Sequence, residues 1–112
     1  MSDDLWEREE TRPTANLARG EAFRSLAANL ADRLESEAAR RSQEASSLDR
    51  QTADSCRALA RRARVIASRF AACTESTPWD AAMNADVEAY FEMVRVARGY
   101  GLEVNEATPP RA

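Results

Sequence analysis

The sequence predicts an all-α fold, a small three-helix bundle made of a helical hairpin and a third amphipathic helix. Three observations predict it. Apolar residues recur at alternating spacings of three and four in three separate stretches, the period of one helix face. Alanine, the strongest helix former, supplies most of the apolar fraction that the large residues leave. The clearest break in the chain, Thr77-Pro78, and a glycine stop at Gly99 bracket the last stretch.

The core that such helices can build is thin. Leu, Ile, Val and Phe together number 17 of 112 residues, about 15%, below the usual guide for an ordered domain. A net charge of only −3 and the strict periodicity argue against disorder. Chains in this position commonly gain stability by oligomerising or by holding a partner, so a homodimer is expected. All 16 basic residues are arginine, with no lysine or histidine, which reads as the coding bias of a GC-rich bacterial or phage genome.

Residues 1–13 read as an acidic arm, 14–104 as the helical domain and 105–112 as a tail. In the arm, Leu5 and Trp6 sit among Asp3, Asp4, Glu7, Glu9 and Glu10, with Pro13 closing the segment. An exposed tryptophan beside a leucine is costly, so the pair is a secondary contact candidate. The first helix is expected from Thr14 or Asn16 to about Ala45, with Phe23, Leu26, Ala27, Leu30, Leu34 and Ala38 on one face.

A break at Ser46-Ser47-Leu48-Asp49 rests on Ser46 as N-cap and Asp49 three residues later. The alternative is one long first helix to Cys73, about 90 Å at the rise of an α-helix, which needs an intertwined dimer to bury its face. The second helix, Asp49 to about Ala72, has the stripe Cys56, Leu59, Ala63, Ile66, Phe70 and Cys73. Arg50, Arg57, Arg61 and Arg64 lie off that stripe. Cys56 and Cys73 stand about 25 Å apart along one helix, too far to bridge each other, and read as small hydrophobes.

Thr77 as N-cap and Pro78 at the first position should start the third helix, with Gly99 as its left-handed C-cap. Trp79, Met83, Val87, Tyr90, Val94 and Ala97 fall within about 80° of arc. Phe91 widens that arc on one side, and Met93, Val96 and Tyr100 on the other. A helix docked on one hairpin needs about 100°, so the excess is a candidate contact surface. Asp86 falls inside the arc; solvent exposure at a helix edge is the favoured reading, and burial would require pairing, with an arginine of the second helix as the natural partner.

No catalytic constellation stands out. There is no imidazole base, no lysine for a Schiff base or phosphate loop, and no glycine-rich turn among Gly20, Gly99 and Gly101. No cofactor or metal is expected, and Glu88 with Glu92 read as a solvated face. No stretch is long and apolar enough to cross a membrane, and the acidic N-terminus lacks a secretory pattern, so a cytoplasmic location is expected. The acidic pI and the lack of interleaved aromatics weigh against nucleic acid as a partner of the arginine face.

The expected function is therefore a protein interaction module, not an enzyme, that regulates by binding and sequestering a partner protein. Inhibitors, antiactivators, anti-sigma factors and antitoxins work in this way. Met83, Tyr90, Phe91, Met93, Val96 and Tyr100 are the expected contacts, with Leu5, Trp6, Arg57, Arg61 and Arg64 as a secondary set. The alternatives are a nucleic-acid-binding protein using the arginine face of residues 50–64, or a structural or phage assembly subunit.

Overall fold

The computed structural model describes residues 2–44, 46–74 and 77–104; over 2–16 it describes the helical backbone alone. Three helices follow in order, α1 (Ser2–Ser42), α2 (Ser47–Ala71) and α3 (Ala81–Gly99). Helices α1 and α2 form the expected hairpin, and the single long helix does not occur.

The break between them forms where the local chemistry favours it. Ser46 has extended backbone, and its hydroxyl accepts from the backbone N–H groups of Leu48 and Asp49, satisfying two of the donors that a helix start leaves open. Asp49 makes a different bond from the one its spacing suggested. Its carboxylate accepts from Arg41 of α1 at 3.1 Å, which fastens the turn.

Why α1 and α2 lie so close follows from their small residues. Ala27, Ala31 and Ala38 on α1 and Ala53, Cys56, Ala60 and Ala63 on α2 are all buried, and small side chains let two helix backbones approach. Leu30 and Leu34 are buried with them. At Gly20 the chain packs tightly: a Cβ there would lie 3.1 Å from Cys73 Cβ.

Helix α1 starts earlier than the sequence suggested, at Ser2 and not near Thr14. Glutamates Glu7, Glu9 and Glu10 in this stretch of sequence are good helix formers. Pro13 lacks an N–H and so removes one bond from the ladder, yet the helix runs through it.

Helix α3 starts later than expected, and its cap is a different residue. Thr77 turns its hydroxyl back to accept from the Thr74 N–H at 2.8 Å. Asp80 is the N-cap, its carboxylate accepting from the N–H groups of Ala82 and Met83 at 3.1 Å each. Residues 77–80 are thereby left as a linker that delivers Trp79 to the core.

At the other end the left-handed residue is Gly101, φ +89°, and not Gly99, which stays helical. The Gly101 N–H donates to Arg98 O at 2.9 Å and the Leu102 N–H to Ala97 O at 3.2 Å, the paired bonds of a glycine-terminated helix. Gly101→Ala should destabilise the fold by roughly 1 kcal/mol, because alanine is strained at positive φ. A urea melt followed by circular dichroism would show it, and the space around Gly101 is open, so no clash confuses the result.

The buried residues of α3 are Met83, Asp86, Tyr90, Met93, Val94 and Ala97, about 100° of the helix, the width that docking on one hairpin needs. Val87 and Phe91 on one flank, and Ala89, Val96 and Tyr100 on the other, are half-buried.

Phe23 joins the three helices at one end of the bundle. Its ring stacks on Phe70 of α2 at 5.2 Å and meets Tyr90 and Phe91 of α3 edge-on at 5.9 and 6.1 Å. Trp79 closes the cluster against Phe70 at 6.4 Å, under the Arg19 guanidinium at 4.7 Å. The opposite end is held by Arg41, which donates to Glu37, to Asp49 and to the Tyr100 carbonyl at 2.9, 3.1 and 2.8 Å.

Candidate functional site

Of the six contact residues expected on α3, the structure places Met83, Tyr90 and Met93 in the intramolecular core. Their arc is the one that faces the hairpin, and a core this poor in leucine draws in whatever large side chains α3 offers. Phe91, Val96 and Tyr100 remain half-exposed on opposite flanks of α3 and do not form one patch. Of the secondary set, the side chains of Leu5 and Trp6 lie outside the described residues.

The six arginines of α2 are exposed, and three of them, Arg57, Arg64 and Arg69, hold the molecule's own acids. Arg64 donates to Glu35 at 2.7 Å and Asp32 at 2.8 Å, crossing from α2 to α1. Its hydrogen bond holds the Glu35 carboxyl below its ordinary value, and Arg40 does the same for Glu37, with Arg41 adding to it. Arg57 is bound to Asp54 and to the Ser42 hydroxyl. Arg61 and Arg62 make no ion pair among the described residues. These pairs neutralise part of the face that a nucleic acid would use.

Because the Glu35 and Glu37 carboxyls titrate lower in the folded chain than in the unfolded one, their contribution is present above the ordinary glutamate value near 4.5. It is lost as pH falls through the folded values. Stability measured by thermal melting should thus hold from neutral pH to about that value and decline below it.

One groove combines apolar and charged groups. Arg62, Val65, Ile66 and Arg69 of α2 face Asp86, Ala89 and Met93 of α3 across a volume of about 260 Å³. Val65 is 53% exposed. The floor is the edge of the core, Ile66 and Met93. Sequence periodicity alone did not single out this groove, because Val65 falls outside the α2 stripe.

Asp86 anchors the groove wall. It is 8% exposed, not solvated at a helix edge as the sequence favoured, and its carboxylate accepts from Arg69 of α2 at 2.9 Å. Arg69 itself is mostly exposed. Removing it strands a buried carboxylate, so Arg69→Ala should cost about 1–2 kcal/mol, set by the unsatisfied acceptor and not by the surface pair. The double variant with Asp86→Ala should recover part of that loss in a denaturation cycle.

Both thiols are free. Burial pushes Cys56 up from its ordinary value, and burial followed by the Asp86 charge does so for Cys73, so neither is an activated nucleophile. Among the described residues no three acids or thiols cluster as metal ligands, and no helix is long and apolar enough to cross a membrane.

Helical hairpin plus docked third helix is the class of structure that these observations define. Comparison with family models, curated proteins and solved structures finds no match to the chain.

Proposed function

We propose that the chain is a protein–protein interaction module that acts by binding and sequestering a partner protein, with the α2–α3 groove as the docking surface. Val65 is the observation that carries this reading. It is an exposed branched apolar side chain beside an apolar floor, and Arg62 and Arg69 flank it. Such a groove suits an amphipathic helix whose apolar residue fills the floor and whose carboxylates meet the guanidinium rim. Val96 and Tyr100, on the groove side of α3, extend the apolar area beside it.

A small regulator of this kind works by covering a surface that the partner needs, as an antiactivator, anti-sigma factor or antitoxin covers its target. It needs no reacting group of its own, and a cytoplasmic setting suits it. The test is quantitative capture from the native host with the intact chain and with Val65→Glu, after nuclease treatment. One protein retained in fixed proportion by the intact chain and lost with Val65→Glu, at unchanged helicity, is the expected result. Equal capture by both, or retention only through nucleic acid and only at low salt, would overturn the reading.

A further inference from the structure

The length of α1 bears on what else the groove receives. Its 41 residues span about 60 Å at the helical rise, close to the 65 Å longest dimension of the whole chain. Helix α2 has only 25 residues, and Cys73, just past its end, lies level with Gly20 of α1. Residues 2–19 therefore run on for about 27 Å past the end of α2. A helix that leaves its own bundle in this direction does not return to its own groove.

The charges of the two regions are complementary. Residues 1–12 carry five acids against two arginines, whereas the groove rim carries Arg62, which makes no ion pair among the described residues, and Arg69, paired with Asp86. Within the acidic segment the large apolar residues are Leu5 and Trp6, a chemical match to an apolar floor rimmed by arginine.

We infer that the α2–α3 groove of one copy receives the Leu5–Trp6 segment of a second copy, in a two-fold dimer that exchanges N-terminal helices. This deepens the docking proposal above and rests on it. The distances close. Leu5 lies about 22 Å beyond Gly20 along α1, and Val65 about 12 Å back from Cys73 along α2. A two-fold axis crossing about 5 Å beyond the bundle end brings Leu5 of each copy level with Val65 of the other, and leaves about one helix diameter between the bundles. Both contacts then form at once, as an isologous interface requires. The segment also competes with the partner for the groove, so self-association and partner binding exclude each other.

Sedimentation of the full chain at low and high salt, with disulfide trapping, tests this. The intact chain should be dimeric and dissociate more readily as salt rises. In a Cys73→Ser background, differently tagged Leu5→Cys and Val65→Cys chains should cross-link on mixing, with little cross-linking of either variant alone. Val65 is exposed, so its replacement leaves the fold intact. A strict monomer at low salt, or cross-linking of Leu5→Cys to itself only, would overturn the inference. Leu5→Glu with Trp6→Glu should abolish the dimer while partner capture persists or strengthens. A persistent dimer with capture unaffected by Val65→Glu would instead overturn the docking proposal along with this one. Loss of capture with the cross-link retained would overturn the partner alone.

Discussion

Phe70→Ala should cost about 3–5 kcal/mol, the range for truncating a fully buried aromatic side chain. Phe70 is 1% exposed and stacks on both Phe23 and Trp79, so α2 loses its hold on α1 and on the linker to α3 together. Net stabilities of small domains are only about 5–15 kcal/mol, and a core with so few large residues belongs at the low end. Much of the folded population should then be lost at physiological temperature. Urea denaturation followed at 222 nm, with Phe70→Leu as the volume-preserving control, measures the difference. A midpoint scarcely shifted from that of the intact chain would mean that the aromatic cluster is not what joins the helices.

The second large effect runs the other way, by addition. Ala63→Leu inserts three heavy atoms into a fully buried position of the α1–α2 seam. Leucine is nearly as good a helix former as alanine, so helix propensity changes little and packing decides. Overfilling a tight core costs about 1–3 kcal/mol or more, and the close approach at Gly20 shows how little slack the seam has. Ala58→Leu on the exposed face of the same helix is the matched control and should change stability by less than about 0.5 kcal/mol. Equal melting temperatures for the two variants would show that the seam is not closely packed.

Much of this fold was legible because it depends on local signals. The period of three and four placed Phe23, Leu30 and Leu34 on one face of α1 and Leu59, Ile66 and Phe70 on one face of α2, and all six are buried. Ser46 caps α2 as its hydroxyl and position suggested. The errors came where two local signals competed. Thr77-Pro78 is a sound helix start, but Asp80 is one too, and the packing of Trp79 against Phe23 and Phe70 decided between them. Gly99 and Gly101 presented the same choice. The extra turn lets Leu102 reach the core and brings the Tyr100 carbonyl to Arg41.

The candidate site was far less legible. A wide apolar arc on α3 was visible, but periodicity does not say how much of an arc the chain's own hairpin will take. Here it takes the centre, with Met83, Tyr90 and Met93, and leaves the flanks. The groove at Val65 arises only from the height at which α3 crosses α2, a tertiary quantity with no sequence period of its own. Arg41 was similarly hidden, since a run of polar residues at a helix end looks the same whether it is solvated or joins three segments.

The two ends of the bundle respond to opposite treatments. The Phe23–Phe70–Trp79 end is held by apolar burial, which weakens on cooling. The Arg41 end is held by charged hydrogen bonds to Glu37, Asp49 and Tyr100, which salt weakens. Cold should therefore open the molecule from the Trp79 linker, and brine from the tip of the hairpin. Amide exchange under the two conditions would map two different places of first opening on one small chain.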